Sequence, residues 1–144
     1  MSRKTVIAAG GLLLAGGIAV LIERLIVTDR EAILMAAETS AQAISRGDVA
    51  EALKVLHPQA LTEAGNPEQT RAALEGLLRE MPVEKVNFLV RELTVENGVG
   101  KLSIDVMILP KDAKTAGSSV FRHALVLNWE KSGEEWKVRS AAPR

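Results

Sequence analysis

After Pro82 the spacing of the apolar residues changes from a period near 3.6 to a period of 2. No single kind of secondary structure accommodates both halves. Before Pro82, Ile33, Ala37, Ala41 and Ile44 recur at helical spacing, and the stripe predicts a helix over about Asp29 to Arg46. Gly47 suits the position just past its end, where positive φ is common. Asp48 with Glu51 three residues on reads as a capping box for a short second helix. That helix faces Val49, Ala52, Leu53 and Leu56 inward and closes at Pro58. Asn66 caps a third helix, with Pro67 first and Gln69 third. Leu74, Leu77, Leu78 and Met81 form its apolar stripe.

Beyond Pro82 the pattern is that of strands. Val86, Phe88 and Val90 alternate, then Leu93 and Val95 continue on the other parity, which predicts a β-bulge near Arg91 and Glu92. Asn97-Gly98 is a two-residue hairpin signal. Leu102, Ile104, Val106 and Ile108 follow, then a polar loop from Pro110 to Ser118. A third strand carries Phe121, His123, Leu125, Leu127 and Trp129. Ser132-Gly133 turns into a last strand with Trp136 and Val138. Short connections between successive strands predict an antiparallel meander. The expectation is an α+β domain over residues 28–144, with three helices packed on a curved four-stranded antiparallel sheet.

Ahead of this domain lies a different composition. Thr5 to Ile22 runs for 18 residues without a charge, and Leu25 to Val27 extend it past Glu23 and Arg24. As a helix, 18 residues reach about 27 Å, close to the roughly 30 Å of a bilayer core. Residues 5–27 therefore read as a single-pass transmembrane helix in contact with lipid, behind a tail of residues 1–4. A cleaved signal peptide is the competing reading, since Arg3 and Lys4 precede the segment and Gly17-Ile18-Ala19 offers small residues. A buried core helix is the third. Counting Lys and Arg on either side places the N-terminus in the cytoplasm and the domain on the extracytoplasmic side. Gly11, Ala15 and Ala19 fall four apart on one face, a small-residue ridge through which two copies could pair. The sheet face is the alternative surface for a homodimer.

The order of elements, together with Ala43-Ile44-Ser45-Arg46-Gly47-Asp48, Leu56-His57-Pro58 and the hairpin Leu125 to Val138, resembles the nuclear transport factor 2-like superfamily. The resemblance covers about Asp29 to Ala142. It implies a cone-shaped α+β fold whose sheet curls around a cavity. On function it says little, because the superfamily hosts enzymes, binders and scaffolds.

Composition narrows the chemistry. The chain has no Cys, which removes disulfides, thiolate metal sites and thiol nucleophiles. It has no Tyr, so the Tyr–Asp oxyanion hole of ketosteroid isomerase, an enzyme that resembles this fold, has no counterpart. Residues 28–144 carry 15 Lys and Arg against 17 Asp and Glu, which does not suit nucleic acid. No spacing of ligands suggests a metal, and no glycine-rich loop opens a helix to hold a cofactor phosphate. His123 shares parity with Phe121 and Leu125, so it is the titratable side chain expected nearest the apolar face. Asp105 is expected on the opposite face, and His57 at a helix end.

Two functional expectations follow. One is a membrane-anchored, non-catalytic interaction or ligand-sensing domain. The other is a small-molecule isomerase, dehydratase or hydrolase in the cone cavity. That enzyme would use His123 as base and Arg91 or Arg122 as anion partner, and it needs those groups to converge.

Overall fold

The computed structural model describes residues 28–111 and 120–144. The expected span at 5–27, with Gly11, Ala15 and Ala19, lies outside the described residues. Among those described, no helix is long and apolar enough to cross a membrane.

Helix α1 spans Asp29–Ser45, close to the predicted bounds. Thr28 caps it reciprocally with Glu31, a capping box that satisfies two donors left orphaned at a helix start. At its far end Gly47 takes φ +74. Gly47 N–H donates to Ile44 O at 3.0 Å, and Asp48 N–H donates to Ala43 O at 2.9 Å. This pair of bonds is the Schellman closure that a left-handed residue permits. Helix α2 is a single turn, Val49–Ala52, continued by a tighter turn over Leu53–Val55. Asp48 Oδ1 accepts from Glu51 N–H, but Glu51 does not reciprocate and pairs with Lys54 at 2.6 Å. Helix α3 spans Pro67–Glu80 behind the full Asn66–Gln69 capping box.

The sheet corrects the expected architecture. It has five strands, not four, and is mixed, not purely antiparallel. Strand β1 is Leu56–Leu61, β2 Val83–Glu96, β3 Val99–Pro110, β4 Phe121–Ser132 and β5 Glu135–Pro143. Their order is β1-β5-β4-β3-β2, with β1 parallel to β5. The additional strand lies where the second helix was expected to end. Pro58 has no N–H to give a ladder, and it is accommodated because β1 is an edge strand.

The meander itself is as expected. Asn97 and Gly98 both take positive φ, at 51° and 76°, the requirement of a type I′ turn. The β2–β3 register slips between Val90 and Glu92, so Arg91 is the bulged residue and the inward parity changes there.

Helix α1 crosses the cavity side of the sheet and is fixed at both ends. Asp29 Oδ1 accepts from Trp136 Nε1 at 3.0 Å and from Lys131 Nζ at 3.1 Å. Arg30 donates to Leu93 O at 2.6 Å. In the last turn Ser45 Oγ accepts from Val86 N–H at 2.9 Å. Between these points Ile33 and Ala37 pack on Leu93, Leu102, Ile104, Trp129, Trp136 and Val138. Burial therefore declines along β3. Leu102 and Ile104 are enclosed, whereas Val106 and Ile108 are half-buried. The closed core sits at the hairpin end, and the sheet opens away from it.

Candidate functional site: an apolar cavity between sheet and helices

Where the core thins out, a cavity of about 450 Å³ lies between sheet and helices. This volume is within the usual range for small-molecule sites. The sheet supplies Phe88, Ile104, Val106, Ile108, Leu125 and Leu127. Strand alternation puts all six on one face. Helix α1 adds Ala37, Ala41 and Ile44, and α3 adds Leu74, Leu77 and Leu78. The α3 stripe reads as a core stripe in sequence, yet α3 has no buried residue. Leu77 is 45% exposed while it lines the cavity, so the α3 side meets solvent.

Few polar groups line this space. Ser40 donates to Ala52 O at 2.8 Å. Thr70 donates to Asn66 O at 2.8 Å, and its oxygen lies 2.6 Å from Thr62 Oγ1. A hydroxyl has one proton, so Thr62 donates to Thr70, and all three lining hydroxyls spend their protons within the protein. Glu63 is the one charged residue of the wall among the described residues. Trp129 differs from these. It is 1% exposed, and its Nε1–H is the one buried side-chain polar group without a partner among the described residues. Such an orphaned donor costs about 1–3 kcal/mol. The other tryptophan, Trp136, gives its N–H to Asp29.

The residues singled out from sequence are placed as follows. His123 has the cavity-side parity and lies opposite Val106, but it is exposed and is not part of the cavity wall. Its backbone belongs to the β3–β4 ladder, and its imidazole makes no hydrogen bond among the described residues. Arg91 turns to the other face, where its Nε lies 2.5 Å from Asp105 Oδ2. Arg122 pairs with Met107 in register and shares that outer parity. His123 and the two arginines are thus on opposite faces of the sheet and do not converge. Asp105 is on the outer face as expected, held between Arg91 and Arg144, the latter at 3.0 Å. His57 belongs to β1, not to a helix end. Its Nδ1 accepts from Gln59 N–H at 3.0 Å and lies 2.9 Å from Arg139 Nη1, which corrects the expected placement at a helix end. Among the described residues no group of His, Asp or Glu is placed to hold a metal ion.

Sequence reasoning recognised Trp129 as an inward residue, but not its unpartnered nitrogen. No pattern of spacing encodes which buried donor lacks an acceptor.

No family model and no curated protein matches the sequence. Solved structures do resemble it. An NTF-2-like protein of unknown function from Shewanella oneidensis aligns with a TM-score of 0.64 at 13% identity. The alignment covers 80% of this chain and 98% of that one. An NTF2-like protein from Cytophaga hutchinsonii gives 0.63 at 19% identity, covering 81% and 97%. A protein of unknown function with a cystatin-like fold from Nostoc punctiforme gives 0.61 at 10% identity, covering 80% and 89%. At these identities the likeness is one of fold.

Proposed function

Starting from this NTF2-like, cystatin-like fold, we propose that the chain is a non-catalytic domain that senses an apolar small molecule in its cavity. Residues 5–27 hold it at a membrane, with the domain on the extracytoplasmic side. The observation that carries the ligand reading is the cavity wall. Some 450 Å³ is lined by aliphatic side chains, and the three hydroxyls in it are already paired. A site of this kind gains affinity from apolar area removed from water, at about 25 cal/mol per Å². The separation of His123 from Arg91 and Arg122 favours binding over catalysis.

The test is thermal melting of the full chain with and without an apolar probe such as undecane. Binding to the folded state raises the melting temperature with probe concentration. Val106→Trp fills the cavity from the β3 side and is expected to remove that increase while the protein remains folded. A probe-induced increase that survives Val106→Trp, or no increase in the native chain, overturns the reading. For the tether, alkaline carbonate extraction is expected to leave the full chain with the membrane and to release a chain lacking residues 1–27. Release of both overturns it.

A further inference from the structure

We propose that the cavity takes ligands with an apolar body and a positively charged head, the chemistry of a long-chain alkylammonium, and that Glu63 at the cavity mouth receives the head. This rests on the ligand-binding role proposed above and adds the chemical class.

The mouth is located by residues that line the cavity and are exposed at the same time. Among the described residues these are Glu63, Ala64, Ala73 and Leu77. The other described residues of the wall are buried or half-buried. The opening therefore lies between the segment that follows β1 and α3, where Ala73 and Leu77 stand one turn apart. Burying an unpaired charge is strongly unfavourable, so a charged ligand head stays at this opening while its chain enters. Glu63 is held there by a tight turn. Thr62 and Gly65 exchange backbone hydrogen bonds at 2.9 and 3.0 Å, and Thr62 Oγ1 accepts from Ala64 N–H at 3.1 Å. The Thr62–Thr70 hydroxyl bond fixes that turn to α3. Two observations set the sign of the head. Glu63 is the one charged residue at the mouth, and no ion pair among the described residues engages its carboxylate. No Lys or Arg lines the wall among the described residues. In addition, residues 62–80, which form both sides of the opening, carry Glu63, Glu68, Glu75 and Glu80 against Arg71 and Arg79, an excess of two acids. Arg71 is already paired with Glu75 at 2.9 Å. An anionic head meets repulsion and no partner, and a neutral head meets no attraction. An exposed ion pair is weak, so the apolar body supplies most of the affinity and Glu63 sets the preference among heads.

The experiment compares three probes of equal chain length on the full chain in a nonionic detergent: nonylammonium, nonan-1-ol and nonanoate, each below its micelle concentration. Affinity is read from the rise in melting temperature with probe concentration. Nonylammonium is expected to bind about fivefold more tightly than nonan-1-ol, and nonanoate more weakly than both. Added salt is expected to narrow these differences. Glu63→Gln is expected to bring nonylammonium level with nonan-1-ol and to leave nonan-1-ol binding in place. Glu63→Lys is expected to reverse the order, with nonanoate tightest. Any uptake of probe by the detergent is the same for native chain and variants, so the comparison between them isolates the protein site. Equal affinity for nonylammonium and nonan-1-ol in the native chain, or a preference that survives Glu63→Gln, overturns the inference and leaves the cavity reading standing. Nonanoate binding as tightly as nonylammonium in the native chain does the same. Binding of none of the three overturns the cavity reading as well.

Discussion

At Gly100 a Cβ would lie 2.7 Å from Ile33 Cδ1 and 3.5 Å from Trp129 Cβ. The strand has ordinary φ there, so the glycine serves close approach, not an unusual backbone. It lets α1 settle onto β3 beside the two tryptophans, where Ile33 is fully buried. Gly100→Ala is expected to cost about 1–3 kcal/mol by overpacking, read as a lower urea midpoint. Ile33→Val removes the atom in the way, so in the double variant the two costs should add to less than their sum. Strict additivity would show that the contact is not what Gly100 relieves. In sequence this glycine reads as part of the Asn97-Gly98 turn, because a need for space is set by a residue 67 positions away. Gly47, Asn66 and Asn97-Gly98 are legible because their partners lie within a few residues. The orphaned N–H of Trp129 is illegible for the opposite reason.

Among the elements, α3 is the one least engaged with the rest. It has no buried residue, although Leu74, Leu77, Leu78 and Met81 form one apolar face. That face looks into the cavity, and the Thr62–Thr70 hydroxyl pair joins the first turn to the segment after β1. Helices with little buried area open at low free energy. Amide hydrogen exchange should therefore be faster across 70–80 than across 33–44 of α1. A ligand that fills the cavity should slow exchange in α3 more than in α1. Equal protection in the two helices would show that α3 is held by something other than its contacts with the cavity. Strand β1 is the element sequence reading missed. Its burial does not alternate, only Ala60 is enclosed, and Pro58 mimics a helix stop. Its strand character comes from β5 alongside it, a tertiary partner that overrides weak local preference.

For the whole molecule, the three helices, the four-strand meander after Pro82 and its bulge were readable, since each follows from periodicity within one segment. Sheet closure by a parallel fifth strand was not, because it joins residues about 80 apart. The same long-range joining gives the fold its acid dependence. Asp29 accepts from Trp136 and Lys131, and these bonds, the Trp136 one foremost, hold its carboxyl below the ordinary carboxylate range. A carboxylate lowered on folding stabilises the native state above its unfolded pKa. That contribution is lost as pH falls through the folded value. Asp29→Asn should therefore lower the urea midpoint at neutral pH and flatten its fall on acidification. The group is half-exposed and screened, so the effect should shrink with added salt. An unchanged acid limb in Asp29→Asn would place the acid sensitivity elsewhere.

The same first turn of α1 also has a mechanical meaning. Thr28 is where the domain joins the chain that precedes it, and Asp29 and Arg30 are bonded to β5, β4 and β2 directly behind that junction. A pull on Thr28 is thus met at once by bonds to three strands. Resistance to such a pull is set by the rate of unfolding. The domain is therefore braced at the point where a tether would load it.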